Sequence, residues 1–393
     1  MNSAFRPSNI FDQINAAHLG TKSDVQIQAW KRFVERGLPT TRHEDWKYTS
    51  LRGIESFDVP QMDQTATIDD VLTVTKNATA KLVLENGVLR DTHQAGLAAE
   101  QGFRLTRLAT NTTEYSALCE ALAKSHADHS LVDAALALPT AAYRLEVSAS
   151  DQRIEIMHRM STVAKQAVHV LIDCRIASGC SAELVHQICG GGAKSLYHVA
   201  MVVDQKADAS LSQVVFQDLS TDSFLFWTSD FRLAECASLK LLNVDTGAKI
   251  ARHNLSVNLL ERESSATLDA VYLNDQERII DHHTAVKHCV PQTRSQQLYK
   301  GIVAGSSRFV FNGKVVVAAG ASGTDAAQLN KSLLIGDHAE VDTKPELQID
   351  HNDVRCSHGA TIGRLNKDQL FYLTSRGISP ANAARLLASA YIE

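Results

Sequence analysis

Ala182-Glu183-Leu184, Ala209-Ser210-Leu211, Ala237-Ser238-Leu239 and Ala266-Thr267-Leu268 repeat one short phrase, with starts 27, 28 and 29 residues apart. An apolar run follows each: Val185 and Ile188; Val214, Val215 and Phe216; Leu241, Leu242 and Val244; Val271, Tyr272 and Leu273. These runs have the β-branched and aromatic bias of strands. A fixed period of this size leaves no room for a normal helix in most units. It points to a stacked β-solenoid, over about residues 167–349, whose coils bury apolar faces against one another. A β-sandwich with regular strand spacing is the alternative. No proline falls between Pro139 and Pro291, as strands paired on both edges require.

The rest of the composition fits around that core. A chain of 393 residues exceeds one ordinary compact core, but a long solenoid with helical pieces at its ends accommodates it. Hydrophobic residues make up 44% and charged residues 21%, which excludes a disordered chain. The net charge of -5 favours neither nucleic acid nor an anionic membrane as partner. Met1 to Arg6 opens no secretory core, and no apolar run reaches transmembrane length. The seven cysteines are odd in number and include no Cys-x-x-Cys pair. Reduced thiols in a cytoplasmic protein are therefore expected.

Ahead of the repeats, the chain reads as mainly helical. Ser23 to Gly37 forms a capped helix with Ile27, Trp30, Phe33 and Val34 on one face. Glu44-Asp45-Trp46-Lys47-Tyr48-Thr49 starts a second one, anchored by Trp46. Residues 58–80 are polar, as in a linker. Lys81 to Leu89 alternates as a strand, with Asn86-Gly87 as its turn. Thr113 to Leu138 is alanine-rich and helical, and carries His126 and His129. The predicted divisions are 1–140, mainly helical; 141–350, solenoid; and 351–393, helical.

Several clusters could carry chemistry. Gly190-Gly191-Gly192-Ala193-Lys194-Ser195 lacks the glycines a phosphate loop needs at 188 and 193, and reads as a turn between coils. Cys174, Cys180 and Cys189 read as buried core thiols. Among Asp281-His282-His283-Thr284 and His288-Cys289, alternation sets His282 and His288 on one face and His283 and Cys289 on the other, which splits a metal set. Glu261 and Glu263 share a face, the feature behind the alternative reading as a carbohydrate-active β-helix enzyme, a lyase or hydrolase. No acid, base and sugar platform accompanies them, so no catalytic residue is assigned.

From Gln297 onward a family pattern emerges. Gln297-Leu298-Tyr299-Lys300-Gly301, Phe309-Val310-Phe311-Asn312-Gly313-Lys314, Gln328-Leu329-Asn330, Val341-Asp342-Thr343-Lys344-Pro345-Glu346-Leu347 and Asp353-Val354-Arg355-Cys356-Ser357-His358-Gly359-Ala360-Thr361 follow in order. In this the chain resembles the SufB/SufD family of iron-sulfur cluster assembly proteins. Glu44 to Thr49 and the Ser357-His358-Gly359-Ala360-Thr361 wording are similar to its SufD branch.

The resemblance implies a mainly β protein: a right-handed parallel β-helix flanked by N-terminal and C-terminal helical domains. It implies a non-catalytic scaffold that pairs with SufB through the β-helix, docks the SufC ATPase through its C-terminal helices, and is linked to iron acquisition. A homodimer is expected for the isolated protein. No cofactor is expected to be held stably, beyond transient iron or a nascent cluster at the SufB interface. His358 and Cys356 are the expected cofactor-binding and metal residues, His358 by the resemblance. In an extended segment positions i and i+2 point to one side, so this thiol and imidazole can converge on one ion. Remaining ligands would come from the partner. The tail fits a docking role: Asn366 caps a helix closed by Gly377, and Ser379-Pro380 opens another with an apolar side.

Overall fold

The computed structural model describes residues 22–51, 54, 80–90, 102–126, 129–162, 166–192 and 194–393. Met1 to Arg6, Ala193 and the expected linker, apart from Ala80, lie outside these residues.

In chain order the strands are β1 (Ala80–Glu85), β2 (Val88–Leu89), β3 (Phe103–Arg107), β4 (Ala141–Val147), β5 (Gln152–Met160), β6 (Ala167–Ile176), β7 (Ser181–Gly190), β8 (Leu196–Gln205), β9 (Ser210–Leu219) and β10 (Phe224–Leu233). They continue as β11 (Ser238–Asp245), β12 (Ile250–Leu259), β13 (Ser265–Asn274), β14 (Ile279–His288), β15 (Arg294–Ala304), β16 (Arg308–Val317), β17 (Thr324–Ile335), β18 (Glu340–Ile349) and β19 (Val354–Arg364). From β4 onward they alternate between two sheets, ordered β19-β17-β15-β13-β11-β9-β7-β5-β1-β2 and β18-β16-β14-β12-β10-β8-β6-β4-β3. Each coil contributes one strand to each sheet, and successive coils pair in parallel. The molecule is a parallel β-solenoid, and the sandwich alternative falls away.

The repeated phrase marks the coils, but not in one phase. Ala182 pairs with Leu211, Leu211 with Leu239 and Leu239 with Ala266. The first and fourth copies are therefore offset by two positions from the second and third. An even offset leaves every side chain on its original face, so the pattern survives the slip. Inward positions such as Leu184, Leu211, Leu239 and Leu268 are fully buried, each contributing about 1.5–3 kcal/mol over exposure.

The two sheets differ on their outer faces. The odd-numbered strands alternate, as in β9 and β13. In β8, β10 and β12 nearly every residue is buried, because helices α1 (Asp24–Arg36), α2 (Thr113–Ser125) and α3 (Ser130–Ala137) cover the outside of the sheet over β4, β6 and β8, and Trp46, Leu51 and Ile54 with Leu131 of α3 cover Leu196, Phe224, Phe226 and Ile250. A sheet buried on both faces needs continuous apolar runs. Helix α1 has the expected caps, Ser23 and Gly37, but buries Gln26, Ala29, Trp30 and Phe33, while Val34 points to solvent. The expected single helix from Thr113 to Leu138 breaks in two, with His126 ending α2 and His129 preceding α3. Asn86 and Gly87 form the turn of the β1–β2 hairpin, both at positive φ.

The strand ladder extends past the expected limits at 141 and 350. β1 pairs in parallel with β5, and β19 with β17. Lys81 to Leu89 alternates as a strand, but alternation alone does not reveal its partner; both segments complete the ladder.

Glu44 to Thr49 straps the covered sheet. The guanidinium of Arg252 lies 3.8 Å from the Trp46 ring centre, and its Nη1 donates to Asp281 Oδ2 and to the Asp45 carbonyl, each at 2.7 Å. Thr49 Oγ1 donates to the same carboxylate, and Lys344 of β18 pairs with Glu44. Arg252 and Asp281 are both fully buried. Removing one partner of such a pair strands the other charge and costs about 3–5 kcal/mol. Asp281→Ala should therefore lower the unfolding free energy, measured by urea denaturation, by an amount in that range. A loss below about 1 kcal/mol, the scale of an exposed pair, would show that the strap does not hold the sheet.

Candidate functional site

The two ends of the solenoid are built differently. At the start, antiparallel strands close both sheets: β2, of two residues, lies on β1, and β3, of five, on β4. At the other end the strand orders simply stop at β18 and β19, of ten and eleven residues. Long edges with unpaired N–H and C=O groups are templates for further strands. Pro345, which cannot donate a ladder hydrogen bond, sits on β18, where one edge needs no partner.

β19 carries both expected ligand residues. Cys356 is in register with Ala326, and His358 with Gln328. Ala326 and Gln328 are buried interior residues, so Cys356 and His358 continue two inward rows onto the last coil, where no further coil among the described residues covers them. Cys356 is half-buried against Val315, Val317, Ala321 and Ala326, and burial, with Asp325 nearby, raises its thiol pKa. A thiol shifted this way needs a neighbouring cation before it becomes a ligand. His358 is exposed. Around this open end, Gln328 Oε1 and Nε2, Asn330 Nδ2 and Thr343 Oγ1 are buried without a hydrogen-bond partner among the described residues.

Two helices follow, α4 (Lys367–Ser375) and α5 (Pro380–Ile392). Asn366 accepts from Asp368 N and Gln369 N, Ser379 accepts from Asn382 N, and Gly377 turns the chain at φ +87°. Only Ala383 is buried in either helix. Phe371, Tyr372 and Leu386 are 74%, 58% and 53% exposed, so the apolar side is largely uncovered. The pair is tethered to β15 where Lys300 donates to the Ile392 carbonyl and lies over the Tyr391 ring.

Residues 155–391 match the pattern described as SUF system FeS cluster assembly, SufBD core domain. The chain belongs to the SufBD family. It is 30% identical over 387 residues, 95% of its length and 88% of the relative's, to the iron-sulfur cluster assembly protein SufD of Escherichia coli (strain K12). Over 234 residues, 58% of the chain and 48% of the relative, it is 37% identical to the Arabidopsis thaliana protein ABCI7, chloroplastic. An iron-sulfur cluster assembly SufBD family protein of Mycobacterium bovis is 31% identical over 209 residues, 51% of the chain and 52% of that protein.

Several of the residues that carry the SufBD resemblance pack the interior. A Cβ on Gly301 would come within 2.2 Å of the Tyr272 ring, which stacks on Phe309. One on Gly313 would fall 2.1 Å from Gln328 Nε2. Gln297 accepts from Thr284, and Tyr299 packs against Phe311. These positions maintain close approach between walls.

Other expected clusters resolve into structure. Cys174 and Cys180 are buried and Cys189 half-buried, with no disulfide among them. Gly190 and Gly191, at positive φ, turn the chain between β7 and β8. His282 and His288 face inward, while His283 is half-buried and Cys289 exposed. Glu261 and Glu263 do not share a strand face. They belong to the exposed turn after β12, where Glu263 has positive φ and Glu261 accepts from the Glu235 backbone. No helix among the described residues is long and apolar enough to cross a membrane.

Five buried histidines, His158, His169, His186, His198 and His288, are held neutral. His158 contacts the Tyr197 hydroxyl through Nδ1 and His186 through Nε2. Burial lowers His169 and His288 to about 4 and His186 to about 3, and takes His158 and His198 well below their ordinary value. With unfolded values of ~6.5, their contribution to stability is complete above that pH and is lost as pH falls toward the folded values. Each removes about 1.4 kcal/mol per pH unit within its window. Asp133, Asp269 and Asp342, raised by burial, act in the opposite sense but are outnumbered. Urea midpoints should stay level above roughly pH 6.5 and fall steeply toward pH 5. Unchanged midpoints across that interval would contradict neutral burial.

Proposed function

We propose that the protein is a non-catalytic scaffold of the cytoplasmic Suf iron-sulfur cluster assembly complex, pairing with SufB and docking the SufC ATPase. The observation that carries this reading is the open last coil: two long edge strands, unpartnered polar groups beneath them, and His358 on the rim. In the paired state, SufB covers β18 and β19, while the uncovered apolar side of α4 and α5 receives SufC. Alone, the chain pairs with itself through the same edge, as a self-complementary face permits. Neither nucleic acid nor membrane is a partner in this reading.

His358, with Cys356 beside it, handles iron or a nascent cluster as cargo at the SufB junction. Two ligands make an incomplete site, and clusters usually take four, so the partner supplies the rest. A labile, shared site suits transfer better than storage. The division of labour follows the chain: residues ahead of 141 brace the solenoid, the coils present the junction, and the tail after Arg364 recruits the ATPase.

Deleting residues 365–393 should abolish SufC capture in a pull-down while SufB capture and the β circular dichroism signal persist. His358→Ala should leave both captures intact and lower the cluster content of the reconstituted complex severalfold. Retained SufC binding by the truncated chain sinks the docking assignment, and normal cluster content in the His358 variant sinks the ligand role.

A further inference from the structure

Midway along the solenoid, Asp245 at the end of β11 faces two histidines from the opposite wall. His253 of β12 and His282 of β14 are partners in the parallel ladder, so their rings stack, with centroids 4.5 Å apart and planes within 9°. His253 Nε2 lies 2.9 Å from Asp245 Oδ1, and His282 Nε2 2.9 Å from Oδ2. All three side chains are buried, and their ligating atoms lie within 4.8 Å of one another. His253 Nδ1, His282 Nδ1, Asn243 Oδ1 and the Tyr299 hydroxyl are also buried without hydrogen-bond partners among the described residues. Asn243 stands two residues before Asp245 on the same face of β11, and the Tyr299 ring centre is 5.3 Å from that of His282.

We propose that Asp245, His253 and His282 hold a resident divalent first-row transition ion, Zn²⁺ or Fe²⁺, that clips the two walls of the solenoid together. Two imidazoles and one carboxylate are the donor set for borderline ions: too nitrogen-rich for Mg²⁺ or Ca²⁺, and without the sulfur that soft Cu⁺ prefers. Metal–ligand distances of about 2.0–2.1 Å put neighbouring ligand atoms roughly 3 Å apart, the spacing already present between each imidazole and the carboxylate. Neutral rings are required of metal ligands, and two imidazolium rings stacked this closely would repel each other. The polar atoms of Tyr299 and Asn243 provide the oxygen chemistry for a further ligand or for a water completing the shell. This site is separate from Cys356 and His358 and does not depend on the assembly role.

The test uses the full chain, expressed in medium supplemented with Zn²⁺ or, anaerobically, with Fe²⁺, and analysed for bound metal. On the order of one equivalent is expected, lost in H253Q and in H282Q with the circular dichroism spectrum unchanged, and retained in C356A/H358A. X-ray absorption of the unaltered protein, which decides the matter even if the histidine variants unfold, should show imidazole and oxygen around the ion and no sulfur. Absence of stoichiometric metal under both conditions would mean that Asp245 only bridges two histidines by hydrogen bonds, and overturns the proposal. A sulfur-containing shell, or loss of the ion in C356A/H358A, also overturns it.

Discussion

Every strand of a parallel stack carries a row of N–H and C=O groups on each side, and each row must be met by a neighbour, a covering element or water. The architecture follows from this constraint. Interior strands meet it through the coil above and the coil below. At the start of the stack, two short antiparallel strands end the series. At the last coil no strand among the described residues does, and the features that distinguish this region, His358, half-buried Cys356 and the exposed tail helices, gather beside that edge.

Stacking also determines what the interior contains. Because coils repeat in register, like side chains are placed one above another, so His253 falls over His282 and Arg252 beside Asp281. Inward-facing polar residues thus become columns inside a low-dielectric core, where an unpaired group is costly. Asp245 answers one such column from the opposite wall, and Trp46, from far earlier in the chain, lies against Arg252 on the outside. The same ladder that buries apolar rows creates places where only a salt bridge, a hydrogen-bond chain or an ion suffices.

Period-two alternation and the spacing of the Ala-x-Leu phrases were enough to read the solenoid, because side-chain direction in strands is a local property. The offset of two between phrases was invisible, since it changes the register without changing the face. Alternation also separated His282 and His288 from His283 and Cys289 correctly. It could not bring Asp245 to His282, because that meeting depends on how the walls face each other across the interior. Glu261 and Glu263 were misplaced for a related reason: the turn after β12 interrupts the alternation that would have aligned them. His358 stood out through family resemblance and Cys356 through its place two residues before it in an extended segment, while nothing in their spacing marks the end of a stack.

The central claim is that the last coil is an edge built to be paired. Amide hydrogen exchange measures this directly, comparing the chain at dilutions where it is monomeric with the chain bound to SufB. The account predicts that amides of Glu340–Ile349 and Val354–Arg364 exchange quickly alone and become protected in the complex, while β1 to β4 stay unchanged. Protection that appears at the start of the solenoid, with the β18 and β19 amides unaffected, would contradict it.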